Sequence, residues 1–490
     1  VPDAKPTVAI AGASGFVGTA LRAALAEDYH VVGLTRSRAR AARSDPGDPV
    51  EWRHCDLFSL LELERALDGV DYAVYLVHSM LPSSRLTQGT FADLDLVLAD
   101  NFARAAEHNG LRQVVYLSGL LPDDKDGLSP HLRSRYEVEQ TLASRATPVT
   151  TLRTGLVVGP GGSSLRILVG LVRRLPAMVL PAWTDSDTQP VALRDVVRAV
   201  RLVLGQPEPY EGVFDVAGPD VMSYREMMGR TAEVMDLDRP MFGVPLITPR
   251  LSTLWVSLVT RSPRALVGPL VASLRHDMVV RDNPVQRAVG PDALGFEAAL
   301  AEALDEDGRL LPDPRQSHRR QDDSAIREAR LVRSVQRFRL PPGRTAEWAG
   351  REYLRWLDGF AGPFLRARVD GDRARFSVAP LPRPVLELTH APDRSTPDRA
   401  LFYVTGGLLA DPDAARRGRL EFRSVLGGTT LLAAIHDFAP RLPWGLYRFT
   451  QAVAHLFVMH RFGRHLRRQR GDAAARTAAR PADVRSEPIG

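Results

Sequence analysis

Over roughly the first 235 residues, short apolar, β-branched runs alternate with stretches of helical periodicity. The runs are Thr7–Ala11, His30–Thr35, Tyr72–Val77, Gln113–Leu117 and Val149–Leu152. Helical patterns occupy Gly18–Leu25, Ala92–His108 and Arg135–Leu142 between them. Strands separated by helices imply right-handed crossovers and a parallel sheet covered on both faces. The predicted fold class is therefore α/β, a Rossmann-type doubly wound parallel sheet, which binds ligands beyond the carboxyl ends of its strands.

The pattern then changes. Apolar helical segments broken by prolines, at about 236–290, predict a helical cap or substrate lid on a first domain of residues 1–304. Residues 305–329 are dense in charge and read as a linker. A C-terminal α+β domain is expected at 330–470. Its predicted strands are Arg330–Leu340, Ala374–Val378, Val385–Thr389, Ala400–Thr405, Arg419–Val425 and Thr429–Phe438, with helices at Thr345–Leu357 and from Trp444 to about Gln469. Strands closed by a long helix suggest a helix-grip cup, an analogy of fold that assigns no ligand. The Ala-, Arg- and Pro-rich tail, 471–490, reads as disordered.

Composition adds modest constraints. A chain of 490 residues with 44% hydrophobic and 25% charged residues fits about two globular domains. The net charge of +6 comes with no nucleic-acid-binding motif, so no nucleic-acid partner is expected. The lone cysteine, Cys55, excludes an internal disulfide and argues against a cysteine-based metal site. The chain enters its first strand without a signal-peptide pattern and has no long uncharged apolar run. The expected setting is cytoplasmic.

Gly12-Ala13-Ser14-Gly15-Phe16-Val17-Gly18 ends a predicted strand and opens a predicted helix, the context of a phosphate-binding turn. Gly12 would permit the tight turn, Gly15 would let backbone approach a pyrophosphate, and Gly18 would let helix pack on strand. Free N–H groups at the helix start favour phosphate. After the second strand, Thr35-Arg36-Ser37-Arg38 stands where an acidic residue would accept both ribose hydroxyls of NAD. Arg36, helped by Ser37 or Arg38, would instead pair with a 2′-phosphate, so NADP(H) is expected ahead of NAD(H). Asp56, in Cys55-Asp56-Leu57 after the third strand, is placed at the adenine amino group.

The glycine turn, His54-Cys55-Asp56-Leu57, Tyr116-Leu117-Ser118-Gly119 and Leu152-Arg153-Thr154-Gly155 with Val158-Gly159-Pro160-Gly161 together resemble the short-chain dehydrogenase/reductase superfamily in its extended or atypical branch. The resemblance runs through Phe214-Asp215-Val216-Ala217-Gly218-Pro219 and covers about residues 6–235. Tyr75-Leu76-Val77-His78 and Ser129-Pro130-His131-Leu132-Arg133-Ser134-Arg135 are similar to bacterial NAD(P)H-binding proteins with an appended C-terminal domain of unknown function. The resemblance implies an oxidoreductase, with Leu57, Leu76, Val77, Val158 and Gly159 also at the cofactor and Gly159 beside the nicotinamide carboxamide.

It also implies a Ser–Tyr–Lys machinery, and here the match is imperfect. Ser118 fits the serine position. His131 and Arg135 fall where Tyr and Lys would stand, four apart and so on one helix face. His131 could act as general acid near neutral pH and Arg135 could hold the ribose. A second alignment offers Tyr136 instead, without the lysine, and a third reading leaves these residues with ordinary packing roles. Trp183, Gln189 and Trp255 are candidates for the substrate space.

His455, His460 and His465 recur every five residues and do not share a metal-facing stripe, so no metal is expected. Their helix is amphipathic with a basic end, which suits packing on its own sheet or a peripheral membrane contact. Three functions stay open: an NADPH-dependent reductase of a small or lipophilic carbonyl, enone or quinone; a catalytically silent NADP(H)-binding regulator or assembly factor; and a C-terminal lipid or quinone carrier module fused to the dinucleotide-binding domain. Oligomeric state is not legible.

Overall fold

The computed structural model describes residues 5–42, 49–78, 86–244, 249–313, 315, 332–360, 365–411 and 418–478. Two compact units result: Val1–Leu81 with Leu94–Ala325, and Pro82–Asp93 with Ile326–Gly490.

The first unit is built on a seven-stranded sheet. Its strands lie in the order Val50–His54, His30–Thr35, Thr7–Ala11, Tyr72–Tyr75, Gln113–Gly119, Val149–Thr154 and Gly212–Val216. All neighbours are parallel. Thr7–Ala11 and His30–Thr35 are the predicted strands, residue for residue. Their all-apolar centres follow from burial on both faces: Val8, Ile10, Val31, Val74, Val115 and Leu152 share one core with Leu21 and Leu25 of the helix Phe16–Leu25. The order of strand connection switches sides at Thr7–Ala11, whose two parallel neighbours begin at His30 and Tyr72. In the register, Ala11 stands opposite both Leu34 and Tyr75, and Tyr75 opposite Tyr116. The strand ends carrying Gly12, Thr35, Leu76 and Ser118 therefore gather at one edge, the crevice expected for a ligand.

A second core lies beside the sheet. Helices Ser163–Arg174, Tyr224–Val234 and Phe296–Ala301 pack there with Val256, Val267 and Val271 of Pro249–Thr260 and Arg264–Ser273. The segment read as a lid is thus anchored by its own buried side chains. The expected linker is also partly structured: Asp313 is buried, and Arg315 pairs with it at 2.7 Å while donating to the Gly161 carbonyl at 2.6 Å.

The second unit carries an eight-stranded mixed sheet. Leu365–Asp370, Arg373–Val378, Leu386–His390, Arg399–Gly406, Arg419–Val425, Thr430–Phe438 and Val332–Arg339 run antiparallel in that order, and short Leu86–Gln88 adds in parallel. Ala346–Phe360 and the long Gln451–Ala478 cover one face. Leu365–Asp370 was missed in the sequence, as was the strand from the 80s that joins this sheet. The last helix continues to Ala478, beyond the start of the expected disordered tail, and is separated from Trp444–Phe449 at Thr450. Positions after 478 lie outside the described residues. The cup between sheet and helix is filled by the chain's own rings: Phe462 meets Tyr353 at 5.1 Å, and Trp356 stacks on Phe360 at 4.5 Å. No helix among the described residues is long and apolar enough to cross a membrane.

Inside the first unit, Arg153 and Glu139 form a buried two-point ion pair, with N···O distances of 2.9 and 2.6 Å. Removing one partner strands a buried charge, which costs about 3–5 kcal/mol, whereas replacing both with apolar groups of similar volume is often neutral. Glu139→Ala is therefore expected to lower unfolding stability by about that amount in urea titration, and Glu139→Met with Arg153→Met to recover most of it.

Candidate cofactor and reaction site

The glycine turn is set by contacts that exclude side chains. Gly12 has φ +96°, a conformation that favours glycine, and its carbonyl accepts the Gly15 N–H at 2.8 Å. A Cβ on Gly15 would stand 2.9 Å from that carbonyl oxygen; one on Gly18 would stand 2.2 Å from it and 2.8 Å from Ala13 Cα. The helix Phe16–Leu25 is thereby pressed onto the first strand. Its N-cap is Gly15, with no side-chain cap and no acidic residue in the first turn. The positive end of this helix is left to an external anion, which is the fit a diphosphate requires. Ser14, Phe16 and Val17 surround it half-buried. The Phe16 ring packs where Gly159 and Gly162 leave room, 3.3 Å from the Cβ position of each. This ties the turn to the loop after Val157–Val158.

Arg36 and Arg38 are exposed at the end of the second strand, and neither is ion-paired with a carboxylate among the described residues. Ser37 caps the short helix Arg38–Ala41 by accepting the Arg40 N–H. Asp56 is buried and accepts the Phe58 N–H at 3.2 Å. The Leu57 carbonyl accepts from Asn101 at 2.8 Å. Leu76 donates its N–H to the Ala11 carbonyl, extending the fourth strand beside the turn, and Val77 follows half-buried.

Beyond the turn, Ser118 ends its strand, and the helix Pro130–Leu142 packs over it with Ser129 as N-cap. Ser118 Oγ, His131 Nδ1, Arg135 Nε and the Tyr75 hydroxyl are all buried without a hydrogen-bond partner among the described residues. Unmet buried polar atoms are costly, and an external group bound beside them would satisfy them. Tyr75 and Tyr116 stand edge to face at 5.9 Å, and both hydroxyls are pushed above the usual phenol range, chiefly by burial. Arg135 donates to Asp95 at 3.0 Å, and Ser134 reaches the same carboxylate oxygen at 3.2 Å. Burial works against the Arg135 charge, but Tyr116 and Asp95 outweigh it and hold its pKa raised.

His131 departs from the sequence expectation. Burial, then the nearby Arg135 charge, lowers its pKa to about 3, so at neutral pH the ring is uncharged and does not titrate. It offers hydrogen bonds as a neutral imidazole instead of exchanging a proton near pH 7. Arg135, expected at the ribose, has one terminal nitrogen engaged by Asp95. Tyr136 is not in this cluster. It packs with Leu120, Leu128, Leu132 and Met278, lies 4.9 Å under the Lys125 ammonium, and lines a separate cleft of about 530 Å³ with Gln140, Arg153 and Asp215. Gln189 is occupied structurally, donating to Gly218 O at 2.7 Å and accepting from Val280 N at 3.0 Å. Trp183 and Trp255 pack on the second core. In the last helix, His455 meets Ser334, His460 the Leu456 carbonyl and His465 Glu352.

Tyr75, Tyr116 and Asp95 went unassigned in the sequence. Tyr116 stands two before Ser118 on one strand, hence on the same face, a signal that could have been used. Asp95 had none, since it reaches Arg135 across two helices.

This sheet order and glycine turn give the first unit a Rossmann-type, doubly wound fold. Within it, residues 8–217 match the model of the NAD dependent epimerase/dehydratase family. The chain is 30% identical over 186 residues to the auxiliary protein GraX of Staphylococcus aureus, a match covering 37% of this chain and 55% of GraX; the chain thus spans about half the length of that relative. It is 27% identical over 318 residues to ceramide reductase of Caulobacter vibrioides, covering 62% of this chain and 95% of that protein. A crystal structure of a nucleoside-diphosphate-sugar epimerase from Staphylococcus aureus superposes with TM-score 0.49 at 15% identity, over 61% of this chain and 99% of the other.

Two outcomes are expected. Gly15→Val should abolish dinucleotide binding in calorimetric titration while the circular dichroism spectrum keeps its helix and strand content. The His131 ring resonances should titrate near pH 3. Because its folded pKa lies below the unfolded value, the unfolded state binds the extra proton, and stability is lost as pH falls from about 6.5 toward 3. His131→Gln should flatten that part of the stability–pH curve relative to wild type.

Proposed function

We propose that the first unit is an NADPH-dependent oxidoreductase that reduces a lipophilic carbonyl, enone or quinone. The observation that carries this reading is the set of partnerless buried atoms, Ser118 Oγ and His131 Nδ1, on elements that meet the glycine turn's edge of the sheet. The Gly12–Gly18 turn and the uncapped helix start would hold the diphosphate, and Arg36 with Arg38 would take the 2′-phosphate. NADPH, when bound, supplies the hydride. Ser118 Oγ–H would donate to the substrate carbonyl oxygen, where negative charge develops, a neutral His131 with its proton on Nδ1 would add a second donor, and solvent water would supply the proton that converts the alkoxide to the alcohol. Arg135, fixed by Asp95, contributes a buried positive charge to the same region and favours that oxyanion. Similarity to ceramide reductase over nearly all of that protein's length supports a lipophilic substrate.

A silent NADP(H)-binding regulator is the second reading. It is favoured by the missing Tyr–Lys pair, by the depressed His131 pKa and by the similarity to GraX, which is named an auxiliary protein. Both readings share the cofactor. The protein is expected to bind NADPH tighter than NADH, and Arg36→Asp to erase the difference; equal affinities in wild type would remove the 2′-phosphate assignment. Following NADPH absorbance across ketones, enones and quinones then separates the readings. Reduction by wild type, with Ser118→Ala and His131→Ala each losing about 10²-fold in kcat at unchanged NADPH affinity, is expected for the reductase. No turnover by any compound would favour the regulator.

A further inference from the structure

The helices Trp444–Phe449 and Gln451–Ala478 present two faces of opposite character. Tyr447, Ala452, Met459, Phe462 and Leu466 are buried in the second unit's cores. Leu446 and Phe449 of the shorter helix and Val453 and Phe457 of the longer one are exposed by 52%, 74%, 55% and 53%. At roughly 100° per residue, Val453, Phe457, Arg461, Arg464 and Arg468 fall within an arc of about 80°, so the apolar stripe runs on as a basic one. The Arg461 guanidinium lies over the Phe457 ring at 5.1 Å, joining the halves. Arg461, Arg464, Arg467 and Arg468 are exposed and form no ion pair among the described residues.

Large apolar side chains that are more than half exposed mark a contact surface, and the arginines select its occupant. A second copy of this chain would bring another row of guanidiniums to the same surface and leave both rows without counter-charge. An anionic leaflet supplies phosphate along the whole basic half and an acyl boundary for the rings. We propose that this stripe docks the protein on an anionic phospholipid bilayer, with Leu446, Phe449, Val453 and Phe457 entering the headgroup–acyl boundary and the arginines on lipid phosphates. The inference stands on the second unit alone and does not depend on the reaction proposed above.

Flotation of the full chain with unilamellar vesicles tests it, comparing phosphatidylcholine alone with a mixture containing about one third phosphatidylglycerol. The protein should float with the mixed vesicles and stay behind with the neutral ones. Arg461→Gln with Arg464→Gln and Arg468→Gln should lower partitioning roughly a hundredfold, from about fivefold per arginine. Phe449→Glu with Phe457→Glu should abolish flotation while circular dichroism and dinucleotide binding are kept. The proposal is overturned if wild type does not float with the mixed vesicles, or if flotation survives both sets of substitutions. It is equally overturned if the phenylalanine variant splits a dimer on gel filtration and wild type shows no flotation, because the stripe is then a contact between copies.

Discussion

Everything in the first unit is referred to one close approach, that of the helix Phe16–Leu25 to the end of the strand Thr7–Ala11. The Gly12 carbonyl oxygen is the pivot: it accepts the Gly15 N–H, and it leaves no room for a Cβ at Gly15 or Gly18. Three glycines at this spacing bring the uncapped helix start up against the sheet's switch point, and the parallel register brings the ends of the second, fourth and fifth strands to the same edge. The resulting crevice has a fixed positive end and no acidic residue in the helix's first turn. An anion is what such a surface is short of.

The reacting end is built differently. A buried arginine needs a partner, and Asp95 supplies it, so the Arg135 side chain is held between helices as part of the packing. That arrangement keeps a positive charge beside Tyr75 and Tyr116, and burial, then this charge, lowers the His131 pKa. The cluster can donate hydrogen bonds and stabilise negative charge, while an exchangeable proton near neutrality must come from elsewhere. Reductase and regulator readings diverge at this point, although they share one cofactor cradle.

The strands Thr7–Ala11 and His30–Thr35 were legible because burial on both faces demands unbroken apolar, β-branched runs, and the glycine turn because its steric demands admit no other residue. Leu365–Asp370 was not, since Leu-Arg-Ala-Arg-Val-Asp places arginine at alternate positions and its pattern is diluted in an arginine-rich chain. The Ala- and Arg-rich stretch after Arg470 was read as disorder, yet both are strong helix formers and the helix continues to Ala478. At the site, Ser118, His131 and Arg135 were reached only through the resemblance, and they lie on the strand Gln113–Gly119 and the helix Pro130–Leu142. Burial, however, decides protonation, and neither the Asp95 partner nor the depressed His131 pKa has a signature along the chain. Tyr136, one residue from Arg135, turns about 100° away into another environment.

A crystal structure of the chain with NADP⁺ and a substrate-sized carbonyl compound would bear most directly on this account. The account predicts the diphosphate on the N–H groups following Gly12, the 2′-phosphate between Arg36 and Arg38, and the carbonyl oxygen within hydrogen-bond distance of Ser118 Oγ with its carbon facing nicotinamide C4. A dinucleotide bound away from the glycine turn, or a nicotinamide face closed off from Ser118 and His131, would contradict it.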